Sequence, residues 1–484
     1  MALPNFSEYV VPGTYWEATP SPVAPQSLYT VNQVALVGPG IGYRTFAENI
    51  TFDDTTPVSL TQLGINTDTV VVTSLDGTVV GVADTDYTLA TTDSTDGHDQ
   101  DTHTTIVWHT AGAFTDTETV RVSYQYTDYD YLTPSICTNL AQVQSLYGNG
   151  IDITTGEITS PISLAAQFAF TNGAQTLVLV ATPNATVLRA DLTDAYAFLE
   201  VLTNVNLVVP LFVGGAYADS INVGQDLATF LLEDENTNDL LRMGLIGFEV
   251  GTDTNEGYDP ATIADSIAYK RVVEAWPFAM NYYNGYTNST LVVGGYYLAA
   301  AYAGIFAGNQ PQQGLTRQTI KNFTGIPSAV FQTMTTALKN QYGASGVAVA
   351  EISRAGVLWC RHGTTTDPSS IYNQEASLVR EQDAMVTLLE GAVEQSGLIG
   401  TPIDDNTIVN LQALTIGILE QCVQLGIIYG YQAVLAQQLQ SLPTTIQITF
   451  QWQPSYPLNY VTFIFSVNTT TGAVSAGTAT GQTS

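Results

Sequence analysis

The sequence predicts a multidomain α+β and α/β protein: central mixed sheets with flanking helices, an inserted all-β sandwich, and extended N- and C-terminal arms. Three observations predict it. Apolar strand-like runs alternate with helical runs across residues 131–345, the pattern of a sheet with helices on its faces. Residues 46–130 instead hold short alternating strands separated by turn signals. The opening stretch carries Pro4, Pro12, Pro20, Pro22 and Pro25, which bar a helix and favour an extended chain. The expected organisation is an N-terminal arm (1–30), an α/β domain (31–45 with 131–345), an inserted β-sandwich (46–130), a C-terminal α/β domain (346–442) and a C-terminal strand arm and tail (443–484).

Each element has its own signal. NQVALVGPG, residues 32–40, reads as a buried strand leaving through a Gly-Pro-Gly turn. Its G-x-G-x-G spacing is wrong for a dinucleotide loop, and no apolar helix entry follows. TVVVTSLDGTVVGV puts Asp76-Gly77 between two β-branched runs, a hairpin signal. TTIVWH and ETVRVSYQYTDYDY supply further strands. Between them the Asp/His-rich loop 91–103, with Asp93, Asp96, His98, Asp99, Asp101 and His103, lacks calcium-loop order and reads as a solvated hairpin tip.

Residues 132–148 suggest a Thr/Ser-capped helix ending at Gly148. PISLAAQFAFTNGAQTLVLVA reads as helix, turn at Asn172-Gly173 and buried strand; VNLVVPLF and LIGFEVG read as two more strands around a helical stretch over 225–242. YYLAAAYAGIFAG, residues 296–308, is an apolar helix rich in small residues, suited to close packing. GVAVAEISRAGVLWCRHG predicts a hairpin turning near 354–356. Two amphipathic helices follow, striped by Leu378, Met385, Leu389 and Val393, and by Ile408, Leu411, Thr415, Ile418, Cys422 and Leu425. In the closing strands Ile446, Ile448, Phe450 and Trp452 alternate with polar residues. Pro454 and Pro457 then interrupt the ladder before a second strand through Tyr460 and Phe463.

Composition narrows the function. The 484 residues carry 44 acidic and 12 basic side chains, a net charge of −32, with no lysine before Lys270. Such a chain repels nucleic acid, anionic membranes and copies of itself, so self-association has to rest on backbone pairing and apolar contact. Nine basic residues fall between Arg242 and Arg380, where mixed surface charge is the simpler reading and an acidic partner the sharper one. No apolar run is long enough for a membrane span, and the N-terminus lacks the basic start and apolar core of a signal peptide. Cys137, Cys360 and Cys422 are widely spaced and read as buried thiols.

No phosphate loop, H-E-x-x-H or G-x-S-x-G motif occurs. Cys360 and His362 share a strand face, but no orienting group is evident nearby in sequence, and a packing cysteine is the simpler reading. The expectation is no enzyme, no catalytic residue, no cofactor and no metal.

VPGTYWE (11–17), VALVGPG, PISLAAQFAFTNGAQTLVLV, AAAYAGIFAG with GLTRQTIKNFTGI, LWCRHGTTTD (358–367), EASLVREQDAMVTLLE and PTTIQITFQWQPSYPLNYVTFIFSV follow one another in a specific order. In that order they resemble the tail sheath proteins of contractile-tailed bacteriophages, over the whole chain except about 46–130. Where that family typically shows Gly-Ala-Arg-Thr, this chain has Trp359-Cys360-Arg361-His362-Gly363-Thr364.

The resemblance implies a structural subunit of the virion, assembled in the host cytoplasm. It polymerises as stacked hexameric rings around an inner tail tube, and it contracts to drive the tube through the host envelope for genome ejection. The implied partners are neighbouring copies, the tube protein, and baseplate and tail terminator proteins, with no nucleic acid and no membrane. It also implies arms that join neighbours by strand exchange: Val11, Pro12, Gly13, Tyr15 and Trp16 at one end, Ile446, Ile448, Phe450 and Trp452 at the other. Arg354, Arg361 and Arg380 are the expected tube-facing residues. The alternatives are the sheath of a headless injection or type VI-like secretion particle, an extracellular β-rich adhesive protein, and an acidic hydrolase. From residues alone, pairing of 445–467 within its own domain remains the simpler expectation.

Overall fold

The computed structural model describes residues 33–463 except 41–42, 53–55, 94–101, 110–111, 116, 128–131 and 184–185. The N-terminal arm residues Val11 to Trp16, most of the Asp/His-rich loop, and residues 464–467 of the expected last strand lie outside the described residues.

The chain starts on β1 (Gln33–Pro39) and then leaves the main body. Strands β2 (Tyr43–Thr51), β3 (Val58–Leu63), β4 (Ile65–Ser74), β5 (Tyr87–Asp93), β6 (Thr102–Trp108) and β7 (Thr119–Thr127) form two antiparallel three-stranded sheets, ordered β2-β7-β4 and β3-β6-β5. Phe52, Val72, Tyr87, Ile106, Val120, Val122 and Tyr124 fill one shared core between them. Alternation dictates this: β6 and β7 bury every second residue through their centres, Thr104 and Ile106 on one and Val120, Val122 and Tyr124 on the other. The Asp76-Gly77 turn forms, with Gly77 at φ 74° and the Asp76 carboxylate accepting from Ser74 and Thr78. The expected return strand does not. It makes a single bridge, Thr73 to Val80, on the edge of β4 opposite β7.

The chain re-enters through β8 (Ser135–Cys137), α1 (Leu140–Tyr147), α2 (Pro161–Asn172), β9 (Leu177–Thr182), α3 (Arg189–Leu199), β10 (Val205–Pro210), α4 (Ser220–Glu233), β11 (Met243–Ile246), α5 (Pro260–Ile267) and β12 (Val272–Trp276). The helix expected over 132–148 thus starts late: Ser135–Cys137 pairs with β9, and Asn139 rather than Ser or Thr caps α1 by accepting from Gln142 N. Pro161 opens α2, and Gly173 at φ 128° closes it. The hairpin β13 (Ala279–Asn284) and β14 (Ser289–Gly294) leads into α6 (Gly295–Gly308). The short α7 (Ser328–Thr333) and then α8 (Thr336–Ala344) follow, and β15 (Val347–Ile352) and β16 (Leu358–Cys360) complete the main sheet.

That sheet has eight strands in the order β16-β15-β12-β11-β10-β1-β9-β8. The six inner strands run parallel and each edge strand antiparallel. All residues of β9, β11 and β12 are buried, as strands covered on both faces require. Helix α6 is buried on every side except at Gly308, and its small residues let it lie directly on α2. The β15-β16 hairpin was expected to open a separate C-terminal domain at residue 346; it pairs with β12 and so extends the main sheet.

A third, smaller core lies beyond the main body. Helix α9 (Ile371–Gln374) leads into α10 (Ala376–Gln395), followed by α11 (Asp405–Gln424), β17 (Tyr431–Leu439) and β18 (Leu442–Trp452). The first half of α10 is buried, with Val379 in the main core; its middle residues Ala384 and Met385 pack with Leu419, Cys422, Ile427 and Ile428. One continuous helix therefore serves both cores.

Two buried arginines tie the assembly together. Arg271 donates to both oxygens of Glu235, at 2.9 and 3.2 Å, and to Asp383 on α10 at 2.6 Å. Burial alone would raise the Glu235 carboxyl, but Arg271 and Lys270 bring it down to about 2. Arg242 pairs with Asp234 at 2.7 Å and donates to the carbonyls of Leu199 and Leu202.

Candidate assembly surfaces

The family resemblance implied a closing strand that reaches another subunit, while the residues alone favoured pairing within its own domain, and the single chain shows the latter. Strand β18 pairs antiparallel with β17 of its own chain, from Tyr431 opposite Trp452 to Leu439 opposite Leu442. A partner a few residues upstream closes a short loop at little entropy cost, which favours the local ladder. Phe450 and Trp452 pack on the α10–α11 core, while Ile446 and Ile448 lie nearer the turn and are half-buried outside it. This sheet has two strands, so among the described residues the outer edge of each carries backbone groups that no third strand meets.

After Trp452 the chain runs extended along the body. Gln453 N donates to Gly430 O, and Pro454 is buried. Ser455 N donates to Glu381 Oε2 at 2.8 Å, and Asn459 Nδ2 donates to Glu375 Oε2 at 3.0 Å. His362 Nε2 sits 2.9 Å from the same Glu375 oxygen and 3.2 Å from Asn459 Nδ2. Glu381 is fully buried with its second oxygen unbonded; burial, then the nearby Glu375, pushes its carboxyl up. The other side of the segment faces water: Tyr456, Leu458, Tyr460, Val461 and Phe463 are all exposed, Phe463 by 85%. The strand expected through Tyr460 is not formed in the described part, 454–463. Among the described residues no strand lies beside it, and β-prone residues without a partner stay irregular.

Among the expected tube-facing residues only Arg354 is freely exposed, at the β15-β16 turn. Arg361 is partly buried, bonded to Glu351 at 3.1 Å and to Asn340. Arg380 is a correction. It is interior, donating to Phe306 O at 2.6 Å with its guanidinium 4.6 Å from the Phe306 ring centre, and so presents no surface. Its place on the apolar-facing stretch of α10 was the available sequence signal.

Cys137, Cys360 and Cys422 are all buried. Cys360 donates to the His362 backbone carbonyl rather than to its ring, and burial pushes the thiol up to about 12. The His362 ring does have an orienting carboxylate, Glu375, which sequence reading missed because it comes from the junction of α9 and α10, thirteen residues on; β16 itself ends at Cys360, so His362 lies just past the strand. Among the described residues no cluster is arranged to hold a metal, and no helix is long and apolar enough to cross a membrane.

A tail sheath protein of Mycobacterium phage Bxz1 is 30% identical over 434 residues, 88% of this chain and 72% of that protein. The chain belongs to the tail sheath protein family. No family model matches it. Solved structures share the fold of this sheath chain at 11% identity. The anti-feeding prophage baseplate, 6-fold symmetrised, gives a TM-score of 0.56 over 95% of this chain and 100% of that one. The anti-feeding prophage helical sheath in its contracted state gives 0.53 over 95% and 99%. A contracted PVC sheath complex from an extracellular contractile injection system gives 0.53 over 96% and 99%. The α+β class expected from sequence is the one these sheath structures share.

Proposed function

We propose that this sheath chain is a virion protein that stacks as hexameric rings around an inner tail tube, and that a change in subunit packing drives the tube through the host envelope. The observation that carries this reading is the extended segment 454–463, clamped on one side and apolar and exposed on the other. A strand with that composition gains a ladder only from another copy, and the open edges of β17 and β18 are backbone acceptors of matching kind. Each added backbone hydrogen bond contributes about 0.5–1.5 kcal/mol, enough over a short strand to hold copies whose charge of −32 otherwise drives them apart. The N-terminal arm through Val11 to Trp16 fits the same role at the opposite edge.

In this reading the bodies move as rigid units and energy is stored in their packing, with no nucleotide consumed. The β2–β7 unit faces outward, and baseplate and terminator proteins cap the ends. The phage relative favours a phage tail over a headless particle.

The test is negative-stain electron microscopy of the full chain beside a version ending at Gln453, which keeps the β17-β18 hairpin whole. Tubes or rings from the full chain and discrete folded particles from the truncation are expected. Discrete particles from both would remove the assembly role.

A further inference from the structure

Five of the twelve basic residues converge on one edge of the main sheet. Residues 316–320 lie along β16, with Arg317 N and Ile320 N donating to the carbonyls of Cys360 and Leu358, and Cys360 N donating to Gln318 O. That edge is already capped, so it offers side chains rather than a ladder. Arg317 and Lys321 both point outward from the capping segment. The Arg317 guanidinium lies 4.2 Å from the centre of the Trp359 ring. Trp359 sits opposite Glu351 in the register, so both share one sheet face, and Arg361, two residues on, joins them. Lys339 reaches in from α8 to Glu351 at 2.7 Å. Arg354 occupies the turn of the same hairpin. One carboxylate, Glu351, thus pairs with Lys339 and Arg361, and Arg317 stacks on the Trp359 that shares its face.

We infer that this basic edge is a docking surface for an acidic face of a second copy of the chain. The inference rests on the sheath reading above and deepens it by naming a contact distinct from strand exchange. The partner is fixed by charge. The whole chain carries 44 carboxylates against 12 cations, five of which lie on this edge, and in a polymer of identical copies the acidic remainder is always adjacent. Arginine stacked on tryptophan is the composition of interface anchors. Here the stack is pre-formed, so little side-chain order is lost on docking. At physiological salt, charges are screened over ~8 Å, so such a patch attracts a neighbour already brought close by its arms. It gives register and specificity to a contact whose holding strength lies in the strands.

The test uses full-length protein, unchanged and as the double variant Arg317→Glu/Arg354→Glu, with Arg317→Lys as the charge-keeping control. Polymer yield is read by sedimentation across a salt series. The double variant is expected to lose about tenfold of its polymer at physiological salt, while the lysine control stays near the unchanged protein. The salt dependence of the double variant should also be shallower. Equal yield and equal salt dependence would overturn the inference, as would loss of tube-protein binding alone with polymer unchanged.

If the double variant misfolds, carbodiimide cross-linking of mixed isotope-labelled unchanged copies decides. Links between copies from Lys321 or Lys339 to Asp or Glu support the contact, and links only within one copy overturn it. Failure of the unchanged chain to polymerise at all would instead sink the sheath reading itself.

Discussion

Helix α6 lies so close to α2 that a single methyl group tests the packing. A Cβ added at Gly304 would sit 2.3 Å from the Ala169 carbonyl oxygen and 3.0 Å from its Cα, both backbone atoms of α2. Helix propensity alone favours Gly304→Ala by about 1 kcal/mol. The clash opposes it: overpacking costs about 1–3 kcal/mol, and the upper end applies because backbone cannot rotate away as a side chain does. The expected net is a loss of about 2 kcal/mol, or about thirtyfold in the opening equilibrium. Native-state hydrogen exchange of the α6 amides reads this directly, even in a chain with several cores. Gly417 on α11 is the control, exposed with nothing within 4 Å of its added Cβ. Gly417→Ala should gain about 1 kcal/mol on propensity alone. If Gly304→Ala proved neutral or protective while the control behaved, the reasoning from close backbone approach would be refuted.

Arg271→Ala should cost about 3–5 kcal/mol by leaving Glu235 and Asp383 buried without their cation, seen as a lowered urea midpoint. Arg189→Ala, removing a surface pair with Asp226, should leave the same midpoint unchanged. Glu274 is fully buried on β12 with neither oxygen bonded, so Glu274→Leu should raise stability by about 1–3 kcal/mol; a lowered midpoint would show the carboxyl has a partner. Burial, then Asp239, Glu394 and Asp383, pushes Glu390 up to about 8. A carboxyl raised in the folded state favours folding at low pH, and that contribution is lost as pH climbs from its ordinary 4.5 through about 8. Glu390→Gln should flatten the urea midpoint over that window, and an unchanged pH profile would refute the assignment.

Local physics made much of this protein legible in its sequence. Buried parallel strands must be continuously apolar, so β1, β9, β10 and β11 stood out, as did α2 between Pro161 and Gly173 and the close-packing α6. The charge of −32 excluded a basic nucleic-acid surface without any coordinates. The order of short motifs was enough to point to the sheath family.

Pairing was a different matter, because a strand's partner is set by competition among edges that the sequence lists but does not rank. Thus β17 went unread, its half-polar YQAVLAQQL weaker than the strand it captures, and Ile446 to Trp452 became a hairpin within the chain. The hairpin at 347–360 joined β12 rather than founding a new domain, because β12 offered a buried edge. Charge placement was equally hidden. Arg242, Arg271 and Arg380 look like Arg317 and Arg354 in sequence, yet three are interior ties and two lie on a surface. Composition and periodicity determine which residues can be strand, helix or core. Which strand meets which, and which charge meets water, depends on contacts between segments far apart in the chain, and only the folded body decides them.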